Sequence, residues 1–254
     1  MKKKFGENFM DQATMGVFSL LSGSLGKKTA REQYEQNMLA WVEKQPKPLE
    51  KKKGTGEVLP AYVERQPDLT WLKYGKANAL ERKLFFGGRE LTAAENSCEV
   101  IATYNALLAL ERERERNGGK KRKHRSLPDL LYLFSTRGIC AKGVFGTSPK
   151  ALERFFQKGN YRTASCKGKQ ITEEKLTEFQ TEYEAFIMTA FNQGQNPFSM
   201  VHTMCITKEK EGYCRHNDSV RVQYYPSLYE AVQDYHQGRA HTMYVLAIGN
   251  IREQ

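Results

Sequence analysis

Apolar residues recur at helical spacing in the first half of the chain and give way to strand-like runs in the second half. The clearest helical stripe predicts a buried helix over 97–110, and it consists of Val100, Ile101, Tyr104, Leu107 and Leu108. Three more helices are predicted, two of them with serine as N-cap, beginning near Ser126, Ser148 and Ile171.

Four later runs are rich in β-branched and aromatic residues and are predicted to be strands: 185–191, 200–208, 213–218 and 242–248. A short helix is predicted over 227–235, before the last strand. Because the helices come first and the strands follow as hairpins, the pattern predicts an α+β domain. In this fold an N-terminal helical half packs on a C-terminal antiparallel sheet.

Residues 1–60 are predicted to form a helical arm and linker, separate from a main domain over 61–254. An amphipathic helix is expected over 29–44, and the charged run 50–54 is interpreted as the linker. The arm is expected to dock on the main domain. Two alternatives remain open: the arm could bind a membrane surface or a partner, or the apolar patch 15–25 could pair with a second copy as a homo-oligomer.

The formal net charge of +11 favours acidic partners. Much of the charge lies in the run 111–125, which lacks the interleaved aromatic residues that stack on nucleic-acid bases. We therefore interpret 111–125 as a frayed helix end followed by a solvated loop, and we expect no nucleic-acid partner.

Five cysteines without a C-x-x-C pair argue against a disulfide scaffold and against a structural zinc site, so no cofactor or metal is expected. No apolar run approaches the roughly 18 residues that span a bilayer, so no transmembrane segment is expected. A secretory signal is disfavoured, and the expected location is cytoplasmic.

Cys98 lies in the first turn of the predicted helix 97–110. Asn96 is predicted as the N-cap, with Glu99 completing a capping box three residues later. The positive end of a helix favours a thiolate, which is the nucleophilic form of cysteine, whereas the neighbouring Glu95 and Glu99 oppose it by like charge. The alternative interpretation is that Cys98 is simply a small buried residue.

His202 is the histidine best located to act as a base, because it lies near the start of an apolar strand where an ionisable group needs a partner. The alternative is a core histidine bonded to a backbone carbonyl. One register of the hairpin formed by 200–208 and 213–218 places His202 opposite Asp218, and the neighbouring register places it opposite Asn217. Either residue could orient the imidazole in a Cys–His pair.

This order of motifs resembles the papain-like cysteine peptidases, in particular the compact bacterial branch that includes the bacteriocin-processing, double-glycine peptidases. The match runs from about residue 91 to the C-terminus, and it rests on Asn96-Ser97-Cys98-Glu99-Val100-Ile101-Ala102, Gly146-Thr147-Ser148-Pro149, Val201-His202 and His216-Asn217-Asp218. The resemblance implies a papain-like fold. It also implies Cys98 as nucleophile, His202 as base and then acid, and Asn217 or Asp218 as the orienting residue.

The chain departs from that family at two positions. Thr92 stands where the family has an oxyanion-binding glutamine, so Asn96 or the backbone N–H of Cys98 would have to serve instead. Glu99 stands where a glycine usually follows the nucleophile. The sequence therefore predicts a thiol-dependent hydrolase of peptide or other acyl bonds. The alternative is a catalytically inactive papain-like module that binds a peptide or protein partner.

Overall fold

The computed structural model describes residues 50–51, 58–59, 62–70, 74, 83, 87–120, 125–136, 147–192, 201–218, 222–236 and 240–251. The predicted helix over 29–44 and the apolar patch 15–25 lie outside these residues. Strand β1 (Glu50–Lys51) pairs antiparallel with β2 (Val58–Leu59). The charged run 50–54, interpreted as a linker, therefore begins with a short strand.

The next helices whose bounds are described are α1 (Ala93–Asn96), α2 (Cys98–Arg116), α3 (Leu127–Thr136) and α4 (Pro149–Lys158). The remaining elements are β3 (Arg162–Lys167), α5 (Glu173–Glu182), β4 (Ala185–Asn192), β5 (Val201–Glu209), β6 (Gly212–His216), β7 (Tyr224–Tyr225), α6 (Leu228–Gln233) and β8 (Ala240–Gly249). This succession of helices and strands confirms the predicted α+β class. Strands β3 and β7 were not predicted.

Six strands form one antiparallel sheet in the order β3-β8-β4-β5-β6-β7. Alternate residues of the central strands point to opposite faces, so that Ile187 packs on the α2 side and Met188 on the α5 and α6 side. Each face therefore has its own apolar core. The predicted packing of the cysteine-bearing helix on the sheet is confirmed, with a second helical layer on the other side.

Helix α2 is buried along almost its whole length and continues six residues beyond the predicted end. The Arg114 guanidinium, which is 8% exposed, donates to Asn250 Oδ1, and Asn250 Nδ2 donates to the carbonyl oxygen of Leu110. These bonds fasten the end of α2 beside the last strand. The interpretation of 111–116 as a frayed end was therefore wrong, because Arg114 is anchored rather than solvated. No helix in the described ranges has the length and apolarity needed to cross a bilayer.

The hairpin between β5 and β6 has a tighter turn than either predicted register. Glu209 pairs with Gly212 across a two-residue turn, and Cys205 pairs with His216. Gly212 adopts φ +126°, and a Cβ there would lie 2.3 Å from the carbonyl oxygen of Tyr225 on β7. Both predicted registers were wrong because they did not account for this turn, and the residue opposite Cys205 is His216.

Arg215 on β6 forms a buried charged cluster on the α6 side of the sheet. Its guanidinium, 5% exposed, lies between the rings of Tyr225 and Tyr235, at 5.0 and 5.2 Å from their centroids. It donates to the carboxylates of Asp218 and Asp234, and also to the carbonyl oxygen of Ala231. The cluster ties the end of β6 to α6 and so fixes the segment that follows the strand.

Candidate active site

Cys98 is the first residue of α2, directly after the short helix α1. The N-cap of α2 is Ser97, whose hydroxyl donates to the carbonyl oxygen of Ala93 at 2.5 Å. The capping box is formed one turn earlier, by Thr92 and Glu95. The predicted capping box of Asn96 and Glu99 was therefore wrong, because α1 closes before Cys98 and the Glu99 side chain turns inward.

The Cys98 thiol is enclosed, with the residue 8% exposed. It donates a hydrogen bond to the Glu99 carboxylate, and the backbone N–H of Thr203 on β5 donates to its sulfur. Burial, and then the charge of Glu99, raise the pKa of the Cys98 thiol well above its ordinary value. The thiol is therefore protonated at neutral pH, contrary to the expectation that the start of the helix favours a thiolate.

Glu99 joins the cysteine to the segment that leads into α4. Its carboxylate is 4% exposed and accepts a hydrogen bond from the backbone N–H of Thr147, with 3.1 Å between the nitrogen and Oε1. Burial raises the pKa of the Glu99 carboxyl above its ordinary value. Because Glu99 contacts both the thiol and Thr147, it holds this segment over Cys98.

Replacing Glu99 with glutamine is expected to speed alkylation of Cys98 by iodoacetamide at neutral pH by on the order of tenfold. The substitution removes the negative charge that opposes the thiolate, while its amide oxygen can still accept from Thr147 N–H. Peptide mass spectrometry of the Cys98 peptide over time would measure the rate. Glu173→Gln, on an exposed residue of α5, is the matched control and should leave the rate unchanged. Equal rates in both variants would contradict the assigned role of Glu99.

His202 is held in one tautomer by a backbone contact. Its Nε2 lies 2.7 Å from the carbonyl oxygen of Asn217, and since a carbonyl can only accept, Nε2 carries the proton. Burial lowers the pKa of His202, although the Asn217 carbonyl and the Asp218 charge act in the opposite direction. The imidazole is therefore neutral at pH 7, and Nδ1, which forms no hydrogen bond with the described residues, is its basic nitrogen.

The two residues predicted to orient His202 have other side-chain partners. Asn217 adopts φ +64° just after β6, and its side chain bonds Gln66 instead of the imidazole. The Asp218 carboxylate pairs with Arg215, as described above. The group that orients His202 is therefore the backbone carbonyl of Asn217, which lies beyond the end of β6 rather than opposite His202 in the sheet.

Cys98 contacts β5, and His202 lies on it, in the stretch before the residues of β5 that pair with β6. Pairing between β5 and β6 ends at Cys205, so Thr203 N–H, which bonds the sulfur, belongs to the following stretch of β5. Thr203 follows His202 directly in β5. Because successive side chains of a strand point to opposite faces of the sheet, the side chains of His202 and Thr203 lie on different faces. The thiol and imidazole thus approach one backbone position from different sides, without a hydrogen bond between them within the described part of the chain.

Two buried polar atoms, one close to Cys98 in sequence and one in a residue that contacts Glu99, have no hydrogen-bond partner among the residues that the structure describes. They are Nδ2 of Asn96, two residues before Cys98, and Oγ1 of Thr147, whose backbone bonds Glu99. Unpaired buried polar atoms are rare in folded proteins and are often associated with function. Asn96, which was predicted as an oxyanion donor, therefore has an amide donor that the fold does not use.

Several residues near the site were missed because they lie far away in sequence. The segment 62–66 crosses the end of β6, where Glu64 Oε1 contacts Nδ1 of His216 at 2.8 Å and Tyr62 stacks on the same ring. Nε2 of His216 lies 2.8 Å from Thr207 Oγ1. Because Thr207 is fully buried, this Glu–His–Thr chain fastens 62–66 to the sheet and is no reactive site.

Acid is expected to destabilise the protein through His202. The unfolded imidazole takes up a proton near pH 6.5, whereas the folded one resists it to lower pH because burial lowers its pKa. Stability from this group is complete above about pH 6.5 and is lost as the pH falls toward the folded-state pKa. Urea titrations at several pH values should show a weaker loss for His202→Gln than for the wild type. An identical loss in both would contradict this prediction.

Within the described residues the site thus consists of a protonated thiol, a neutral imidazole whose Nδ1 has no hydrogen-bond partner, and an amide donor without a partner, around the start of α2 and the end of β5 that β6 does not pair with. Gln66 and Glu99 are the buried polar residues that connect these parts. A scan against protein-family models and searches of curated proteins and of solved structures found no match to this chain.

Proposed function

We propose that this protein is a thiol-dependent hydrolase of peptide or other acyl bonds, with an arrangement similar to that of papain-like cysteine peptidases. Cys98 is the nucleophile and His202 the base. The observation that carries the proposal is the state of His202: the Asn217 carbonyl fixes the proton on Nε2 and leaves Nδ1 without a hydrogen bond to any described residue, one residue from the backbone N–H that bonds the Cys98 sulfur.

The pKa directions favour general-base catalysis from a neutral thiol over a preformed ion pair. As the Cys98 sulfur attacks the acyl carbonyl, its proton passes to Nδ1 of His202, and negative charge develops on the carbonyl oxygen. Nδ2 of Asn96 and the backbone N–H of Cys98, at the start of α2, are the donors available for that oxygen.

The second half of the reaction returns the proton. His202 protonates the leaving amine or alcohol, and a thioester remains on Cys98. A water molecule then gives a proton to Nδ1 of His202 and attacks the thioester carbonyl. The C–S bond breaks, the acid is released, and His202 returns its proton to the sulfur to restore the free thiol. Because the thiol and the imidazole approach Thr203 from different sides, the proposed reaction requires the sulfur to leave Glu99 and to meet Nδ1 on one side of β5 before the first step.

The second candidate is a non-catalytic papain-like module that binds a peptide or protein partner. The observation in its favour is the hydrogen bond from the Cys98 thiol to the Glu99 carboxylate, which keeps the sulfur protonated. In this case Cys98 contributes only its volume to the core. The two candidates differ in whether Cys98 ever becomes acylated.

Acylation by p-nitrophenyl acetate tests the proposal without knowledge of the natural substrate. A hydrolase should release nitrophenolate and carry one acetyl group on the Cys98 peptide, and Cys98→Ala should abolish both signals. Cys166→Ala is the matched control, since Cys166 on β3 is also buried and burial raises its pKa to about 11. Absence of acetylated Cys98 in the wild type, or equal release by Cys98→Ala, would favour the non-catalytic module.

A further inference from the structure

Gln66 is a buried side chain that connects the two halves of the candidate site. It is 6% exposed and lies at the start of a short 3-10 turn, Gln66–Leu69, near the segment that crosses the end of β6. All four of its hydrogen bonds go either to α1, which leads into Cys98, or to Asn217, which holds His202.

The first pair of hydrogen bonds holds the helix that precedes the nucleophile. Nε2 of Gln66 donates to the carbonyl oxygens of Ala93 at 3.2 Å and Ala94 at 2.9 Å. The Ala93 oxygen also accepts from the hydroxyl of Ser97, the residue before Cys98. Gln66 therefore contacts the same carbonyl that fixes the start of α2.

The second pair holds the residue that orients the base. The backbone N–H of Gln66 donates to Oδ1 of Asn217 at 2.7 Å, and Nδ2 of Asn217 donates to Oε1 of Gln66 at 3.3 Å. Asn217 needs this support because its φ of +64° is unusual for a residue other than glycine. With the Asn217 side chain fixed, its carbonyl stays within 2.7 Å of His202 Nε2.

We infer that Gln66 is a positioning residue that sets the location of Cys98 relative to His202 by bridging α1 and Asn217. The inference rests on the proposed function, in which these two residues react together. A glutamine suits the task because one amide both donates to the α1 carbonyls and accepts from Asn217. Glutamate lacks the donor, and alanine lacks both groups.

The chain offers a matched control for the stability of this segment. Asn105 on α2 donates to the carbonyl oxygen of Val63 and accepts from Val63 N–H, so it fastens the segment 62–66 with two buried bonds. Asn105 has no contact with α1 or Asn217 through these bonds. Asn105→Ala should therefore loosen the segment without releasing the bridge.

The test combines two readouts on the full chain. The tautomer of His202 is read from the ¹⁵N shifts of its ring above the histidine pKa, and the alkylation rate of Cys98 by iodoacetamide is read by peptide mass spectrometry. Gln66→Ala should give a mixed tautomer and on the order of tenfold faster alkylation, because it removes both bonds to α1 and the bond from Asn217 Nδ2 and leaves only the backbone bond to Asn217. Asn105→Ala should keep the Nε2–H tautomer and the wild-type rate.

The variant Gln66→Glu tests the bonds to α1 separately from the side-chain bond with Asn217, and it replaces Gln66→Ala if that variant does not fold. It keeps the oxygen that accepts from Asn217 and loses the donor to α1, so alkylation should speed up while the tautomer is kept. A wild-type tautomer and rate in both Gln66 variants would overturn the inference, as would equal changes in Asn105→Ala. Failure of the proposed function gives a different result: no acetylated Cys98 in the wild type, with the tautomer still dependent on Gln66.

Discussion

His202→Ala is expected to slow acetylation of Cys98 by p-nitrophenyl acetate by about 10²- to 10⁴-fold at neutral pH, the usual contribution of a positioned general base. The thiol is protonated in the resting state, because burial and Glu99 raise its pKa. Attack therefore requires a group that takes the proton. Nδ1 of His202, which has no hydrogen bond to a described residue, belongs to the residue next to Thr203, whose N–H bonds the sulfur. Stopped-flow release of nitrophenolate would measure the acetylation rate.

His241→Ala is the control for removing a histidine from this sheet. His241 lies on β8, half-buried, with its ring 5.4 Å from that of Phe191 and away from the contacts of Cys98. This variant should acetylate at the wild-type rate. If His202→Ala and His241→Ala reacted equally fast, His202 would not be the base.

Arg215→Ala is expected to lower the free energy of unfolding by about 3–5 kcal/mol, as is usual when one member of a buried charged cluster is removed. The Asp218 carboxylate would remain, 12% exposed, without its guanidinium, and the carbonyl oxygen of Ala231 would lose its donor. The rings of Tyr225 and Tyr235 would also lose the cation between them. Urea unfolding followed by fluorescence would measure the loss.

Lys175→Ala gives the comparison with an exposed ion pair. Lys175 on α5 contacts Glu178 at 2.6 Å, but their side chains are 36% and 50% exposed. Such pairs contribute about 0–1 kcal/mol. A loss for Arg215→Ala no greater than that for Lys175→Ala would show that the Arg215 cluster contributes little to the stability of the end of β6.

Most helices and strands of the fold were predictable, because an element with a buried face carries apolar residues at the spacing typical of that element. The apolar run 185–191 lies on a strand that is covered on both faces, and Ser148-Pro149 begins a helix as cap and first residue. The end of α2 was missed because Glu111 and Arg114 are charged, and their burial depends on Asn250 at the other end of the chain. Charge alone does not tell whether a partner lies nearby.

The hairpin register could not be predicted from its own residues. The run between β5 and β6 permits several turn lengths, and the choice depends on Gly212 passing close to the carbonyl of Tyr225 on β7. A shift of one or two residues was enough to assign the wrong partner to His202. The predicted reactive residues Cys98 and His202 were brought to the same part of β5 even so.

The surroundings of the reactive residues depend on contacts that carry no local signal. Gln66 and Asn217 are 151 residues apart, so neither predicts the other. Glu99 could face solvent or the core, and only its contact with Thr147 N–H determines that it faces the thiol. The consequence for the chemistry is that Glu99 adds to burial, the larger cause, in raising the pKa of the Cys98 thiol.

The pH dependence of Cys98 acetylation in the wild type and in His202→Ala tests the pairing of these two residues most directly. The wild-type rate should rise with pH through the pKa of His202, which burial lowers below about 6.5, and should be level at neutral pH. His202→Ala should lack this rise and gain rate only in alkaline solution, where the thiol ionises. Profiles of the same shape in both proteins would contradict a reaction between Cys98 and His202. They would favour the second candidate, the non-catalytic module.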